Sequence, residues 1–165
     1  QEVVAGRAPK HPQEDFEGAR HRILEDGTRV RLEDGGDPYR IPERDGMDGV
    51  PASAFKAAIV GAARNFPALK LVSLKTWVTV EGMGPDLLVP LDAADPTCRE
   101  DYVRIGMGVT DLRYRPQYWP WACELDIVYL SSNLTPDSIL SLVDAAGFGG
   151  VGEWRPRQPV ADRFV

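Results

Sequence analysis

The densest run of residues able to recognise another molecule is Arg113-Tyr114-Arg115-Pro116-Gln117-Tyr118-Trp119-Pro120-Trp121. Aromatic faces stack on bases and guanidinium forks pair with phosphates, so this interleaving suits a nucleic-acid surface. The same residue types are enriched where two proteins meet. On these residues alone, subunit contact ranks ahead of nucleic acid, with Tyr118, Trp119 and Trp121 as the contacting side chains. Pro116 and Pro120 are expected to hold the segment extended and edge-like, since neither can donate a ladder hydrogen bond.

A second feature is Gly147-Phe148-Gly149-Gly150-Val151-Gly152, followed by Trp154, Arg155 and Arg157. Its letters match GxGxxG, but a dinucleotide fingerprint needs strand, then glycines, then helix. Here the glycines follow a helix, so the Rossmann reading fails. The simplest reading is a helix stop leading into a flexible strand. The functional alternative is a loop at Gly149 and Gly150 that lets a phosphate backbone approach, with Arg155 and Arg157 supplying charge.

No enzyme constellation emerges. Ser53 has no histidine near it in sequence, and a Ser-His-Asp set would draw on His11 or His21, both in arm-like segments. Cys98 and Cys123 are too few for a disulfide framework or a cysteine zinc site. Asp92, Asp95, Glu100 and Asp101 lack the glycine turn and ligand spacing of a calcium loop and read as a solvated acidic loop. Asn133-Leu134-Thr135 is a glycosylation sequon, but Thr135 serves better as a helix cap. Neither catalytic residues, a metal nor a cofactor is expected.

The elements that would position these residues follow from pattern. Residues 1–19, broken by Gly6, Pro9, Pro12 and Gly18, read as an extended arm. Residues 20–32 read as two strands around Asp26-Gly27. Pro51 opens a helix over 52–64, with Phe55, Ile59 and Ala62 on one face and Gly61 allowing close packing. Residues 69–81 read as a long strand, with Val72, Leu74, Thr76, Val78 and Val80 sharing a face. Residues 82–119 read as an insertion holding a short strand at 87–91, the acidic loop at 92–101 and a strand at 102–105. Residues 121–130 form the next strand, turning Cys123, Leu125, Ile127 and Tyr129 to the core. A helix follows with Thr135 as cap, Pro136 first and Asp137 in the first turn. Its apolar face is Ile139, Leu142, Val143 and Ala146, and Gly147 stops it. Residues 148–154 return as a strand.

That order is β-α-β-β-α-β, the ferredoxin-like unit of an α+β protein. It implies an antiparallel sheet with two helices on one face, an insertion at 82–119 between the second and third strands, and an arm at 1–19. Residues 20–165 form the single domain. The open sheet face suits an insertion, a partner or nucleic acid, as in RNA-recognition modules.

The chain's 165 residues, 43% hydrophobic and 27% charged, suffice for a real core. Its 16 glycines and 14 prolines make it loop-rich. The net charge of −6 argues against a simple basic nucleic-acid coat. The excess is uneven, however: residues 1–50 carry 12 acids and 8 bases, the remainder 13 and 11. Arginine outnumbers lysine 15 to 4, a bias that favours phosphate forks but that a GC-rich genome also produces. No apolar run approaches the roughly 18 residues of a membrane helix, and no basic-then-apolar leader opens the chain.

Two stretches carry resemblances. Val50-Pro51-Ala52-Ser53-Ala54-Phe55-Lys56, continuing to Gly61 and Arg64, resembles the Pro-x-Ser-small-Lys-Gly-x-x-Arg helix start of the RAMP superfamily. Those ferredoxin-like proteins form CRISPR effector backbones and bind guide RNA. They also carry a glycine-rich segment after the last helix, and the insertion at 82–119 is similar to their thumb. The segments 50–81 and 105–157 look like a family of mostly uncharacterised proteins of tailed phages and prophages. The matching pieces are Val50-Pro51 with Phe55-Lys56-Ala57-Ala58, the run from Gly108-Val109-Thr110 to Pro116, and Gly152-Glu153-Trp154-Arg155-Pro156.

The latter resemblance implies a phage protein but brings no settled activity, and with no enzyme constellation in the residues, two non-enzymatic functions are expected. The first is association with single-stranded RNA or DNA, in an oligomer, through Lys56, Arg64, Arg113, Arg115, Arg155 and Arg157, with Tyr114 and Trp154 stacking and Gly149 and Gly150 admitting the backbone. The second is a virion structural or assembly role through protein contacts at Tyr118, Trp119 and Trp121. The acidic charge leaves a nucleic-acid mimic as a third class, though the acids are scattered rather than spaced along one helix. The expected location is the host cytoplasm of an infected bacterium or the virion.

Overall fold

The computed structural model describes residues 11–23, 47–84, 86–104 and 110–151. The described residues form a mixed α+β structure with four helices and several small antiparallel sheets.

Helix α1, Pro12–Ala19, replaces the extended arm expected there. Pro12 suits a first helical position, and Glu14 and Asp15 in the first turn complement the helix dipole. Residues 1–10 and the turn at Asp26-Gly27 lie outside the described residues. Strand β1, Arg22–Ile23, pairs with β2, Met47–Pro51, setting Arg22 opposite Asp48. Gly49 is closely packed in β2, which lies between β1 and a strand at Leu88–Pro90. A Cβ there would lie 3.0 Å from the Ile23 side chain and 3.0 Å from the Val89 carbonyl.

Pro51 caps α2, Ala52–Ala62, from an extended conformation, one position before the place its sequence suggests. A 3-10 turn, Ala63–Asn65, completes the expected helix. Phe55, Ile59 and Ala62 are buried as the period predicts. Gly61 has no close neighbour, so close packing is not its role. The alanines at 52, 58, 62 and 63 bring the helix near its neighbours instead.

The long strand expected over 69–81 is instead helix α3, Leu71–Trp77, followed by a short β3, Val78–Val80. Two periods coexist in this segment, and the helical one buries more. Leu71, Leu74, Trp77 and Val78 pack on the core at helical spacing. Val72, which a strand would bury beside Leu74, is 78% exposed while Leu74 is 0% exposed.

Strand β4, Leu88–Pro90, pairs with β2, so the first strand of the expected insertion joins the β1–β2 ribbon. The expected acidic loop is largely strand: β5, Asp92–Ala93, and β6, Thr97–Arg104. β6 pairs residue for residue with β7, Thr110–Gln117, which confirms an extended Pro116. Gly106 and Gly108 lie outside the described residues. The expected strand over 121–130 divides into β8, Trp121–Ala122, and β9, Ile127–Tyr129. The two halves pair with different partners, β5 and β3, and residues 123–126 between them belong to no strand. The alternation nonetheless holds: Cys123, Leu125, Ile127 and Tyr129 pack on the core, and Glu124 and Asp126 are exposed.

Helix α4, Pro136–Gly149, starts as read. The Thr135 hydroxyl accepts the Ser138 N–H, Pro136 leads and Asp137 sits in the first turn. It does not stop at Gly147. Phe148 and Gly149 are helical rather than strand, and the terminus is Gly150, whose φ of 71° suits glycine. Ile139, Leu142 and Ala146 pack α4 against α2, over β3 and β4, and this is the centre of the core.

Leu74→Ala should cost about 2–5 kcal/mol, as deletions at filled core sites do. Val72→Ala should change stability by no more than about 0.5 kcal/mol, as exposed sites do. Denaturant unfolding of both variants separates the helix from the strand, which would make both costly.

Candidate functional site

Three elements meet beside the core: α1, the start of α2 after β2, and the β6–β7 hairpin. Between them lies a cleft of about 670 Å³. Its walls include Asp15 and His21, Val50, Pro51 and Phe55, and, from β7, Asp111 and the run from Arg113 through Gln117. Tyr118, Trp121 and Val151 also line it, as do Arg99 and Asp101 of β6.

The anchor of the cleft is polar. Arg20, at the end of α1, grips Asp48 of β2 with two hydrogen bonds, from Nε at 3.2 Å and from Nη2 at 2.6 Å. Arg20 also reaches Glu17 at 3.2 Å, and its guanidinium lies 5.7 Å from the Phe16 ring centre, within cation–π range. Arg22 adds a longer contact of 3.4 Å to Asp48. Burial opposes the Arg20 charge, but the Asp48 hydrogen bond and the Asp48 and Glu17 carboxylates outweigh it and hold the proton more firmly than usual. The Tyr118 hydroxyl joins this group through Asp48. Burial first, and the Asp48 charge second, raise the Tyr118 phenol well above its ordinary value, against the opposing pull of Arg20. Tyr118 is therefore half-buried in this network, and it also lines the cleft.

The hairpin wall has its own compensation. Arg99 and Arg115 are directly opposite one another in the β6–β7 register. Like charges opposed across strands repel. Asp101, only 4% exposed, lies between them, accepting from Arg99 Nε at 2.8 Å with Arg115 Nη1 at 3.6 Å. Arg113 Nε is 3.4 Å from Asp111.

The structure thus brings Arg113, Tyr114, Arg115, Tyr118 and Trp121 to one cleft, and Val151 carries the end of the glycine segment to the same place. Gly149 is the exposed last residue of α4, and Gly150 is its cap. Lys56, half-buried on α2, and Arg64, exposed in the following turn, are not on the cleft wall. Trp154, Arg155 and Arg157 lie outside the described residues. Trp119 is exposed, next to the cis Trp119–Pro120 bond, so Pro120 belongs to a turn rather than to an extended strand.

Sequence reasoning missed Arg20, Asp48, Arg99 and Asp111, and it read Asp101, which is buried in an ion pair, as part of a solvated loop. Arg99, Asp101 and Asp111 had a signal, since residues 99 and 101, and 111 and 113, are opposite in sign at the two-residue spacing of one strand face. Arg20 and Asp48 are 28 residues apart and had none. Among the described residues, no three His, Cys, Asp or Glu side chains gather as a metal site. Burial pushes the Cys123 thiol up, away from the thiolate a nucleophile needs. Among the described residues, no helix is long and apolar enough to cross a membrane. No protein-family model matches the chain, and neither a curated protein nor a solved structure matches it significantly.

Asp101→Asn removes the carboxylate that Arg99 and Arg115 share, and should cost about 1–3 kcal/mol, as losing a charge-assisted hydrogen bond does. Chemical denaturation measures it. Tyr118 gives a pH test. Its folded-state affinity for the proton is raised above an ordinary value of 10.0, so its contribution is complete below that pH and is lost as pH rises beyond it. Tyr118→Phe should therefore flatten the alkaline fall in stability, measured by unfolding at stepped pH above neutrality.

Proposed function

We propose that this chain is a phage-encoded assembly protein, a capsid-associated or accessory subunit, that works through protein–protein contacts. The observation that carries this reading is a contrast in exposure. Tyr102 is 72% and Trp119 73% exposed, while the cleft arginines face carboxylates of the same chain. Large aromatics of this kind are enriched where proteins meet. Arginines already compensated by aspartate have less to offer a phosphate, because binding one means giving up the internal partner. The acidic net charge of −6 points the same way.

A ferredoxin-like frame is consistent with this reading. β3 and β9 pair antiparallel, α2 and α4 pack side by side, and β4 to β8 fall between β3 and β9 in sequence as an insertion would. The frame is incomplete among the described residues: β1 and β2 pair with β4 in a separate sheet rather than beside β3 and β9, and the residues after Val151, where a last strand would have to lie, are outside the described ones. Fold analogy alone licenses no function, so the argument rests on the surface.

A second reading, association with single-stranded nucleic acid, is favoured by Arg113, whose side chain is 46% exposed beside Tyr114 at the cleft. It would place the protein in the host cytoplasm rather than the particle.

Mass spectrometry of gradient-purified particles from the phage that encodes the chain should find it as a reproducible component. A strict monomer absent from particles would reverse the assembly reading. Passage over immobilised single-stranded DNA at low salt should leave the protein unretained. Retention that weakens with salt, with a salt slope lowered by about one in Arg113→Ala, would instead support the second reading.

A further inference from the structure

The β6–β7 hairpin has an edge that no described strand uses. β6 pairs with β7 along its whole length, and among the described residues no strand pairs with its other side. An unpaired edge presents a row of N–H and C=O groups that can template a further strand. The side chains of β6 alternate. Cys98, Glu100, Tyr102 and Arg104 are exposed, whereas Arg99, Asp101 and Val103 are buried or half-buried. Neither Glu100 nor Arg104 enters an ion pair within the described part of the chain.

We propose that the β6 edge pairs antiparallel with the same edge of a second copy of this chain, in the register that places Tyr102 on the two-fold axis. The proposal rests on the protein-contact reading above and specifies one surface for it. A two-fold axis perpendicular to a sheet passes through a single residue position and sets that residue against its own copy. An axis through Glu100 or Asp101 opposes identical carboxylates, and one through Arg99 opposes identical guanidiniums. An axis through Tyr102 opposes two aromatic rings. It also sets Glu100 against Arg104 of the partner subunit, and Arg104 against Glu100 of the partner subunit, all on the exposed face. Opposite charges and aromatic pairs directly across strands are the favourable cross-strand combinations. β6 is thus self-complementary about Tyr102. The result is a four-stranded sheet, β7-β6 continued by the partner's β6 and β7, and Tyr102 ceases to be solvent-exposed.

Charge exchange tests the register. In sedimentation equilibrium the full chain should show a concentration-dependent dimer. Glu100→Arg alone, or Arg104→Glu alone, then sets like charges face to face twice and should raise the dimer Kd at least about tenfold. Mixing the two single variants restores both opposite-charge pairs, so an equimolar mixture should dimerise where each alone does not. The E100R/R104E double variant should recover a homodimer for the same reason, and circular dichroism checks that every variant is folded. A dimer indifferent to both exchanges, or a mixture that stays monomeric, overturns the β6 pairing. In the first case the dimer persists through another surface, and the protein-contact reading stands without this one. A wild-type chain monomeric at every concentration overturns the pairing even where the chain is found in particles.

Discussion

The ion pair between Arg20 and Asp48 is the interaction on which the placing of the cleft depends. Helix α1 has no fully buried residue and lies packed along β7. Its end is tied to β2, where Arg20 donates two hydrogen bonds to the Asp48 carboxylate and leans on Phe16. The neighbouring His21 carbonyl accepts the Gly49 N–H at 2.7 Å, so the main chain and the guanidinium fix the same junction. Tyr118 brings the exit of β7 to that carboxylate. One aspartate thereby ties together the helix, the strand leading into α2 and the hairpin that forms the far wall. Both partners are nearly excluded from solvent, so each would be costly without the other.

The same economy governs the arginines further along the hairpin. Their sequence suggested phosphate recognition, and their setting gives them internal work. Asp101 separates the guanidiniums of Arg99 and Arg115, which the β6–β7 register would otherwise force together. The local charge of the wall is therefore close to balanced, and the surface is distinguished by what is apolar and exposed rather than by its bases. Trp119, held out from the turn after β7, and Tyr102, on the outer face of β6, are the clearest cases.

Where local chemistry decides an element, the sequence was legible. Thr135, Pro136 and Asp137 announce α4, and Ile139, Leu142 and Ala146 define the face it buries. The alternation from Cys123 to Tyr129 survives even where the strand does not. Where two periods overlap, the outcome depends on the neighbours. Residues 71–77 can alternate as a strand or wind as a helix, and the second choice buries Leu74 completely against the α2–α4 layer. The end of α4 shifted for a related reason, since three glycines can each cap a helix and only Gly150 adopts the positive φ. The cleft was half legible. Arg113, Tyr114, Arg115 and Trp121 stand out by type, but the carboxylates that neutralise the arginines arrive by strand register, and Asp48 by a contact 28 residues distant in sequence.

The most direct test of the anchoring role is a double-mutant cycle on Arg20→Met and Asp48→Leu, read by denaturant unfolding. If the pair holds α1 to β2 as described, each single variant is strongly destabilised and the double variant recovers part of the loss, with a coupling energy in the upper part of the roughly 0.5–3 kcal/mol found for contacting residues. Additive losses with no coupling would contradict it, because the two side chains would then contribute independently and the cleft would owe its shape to something else.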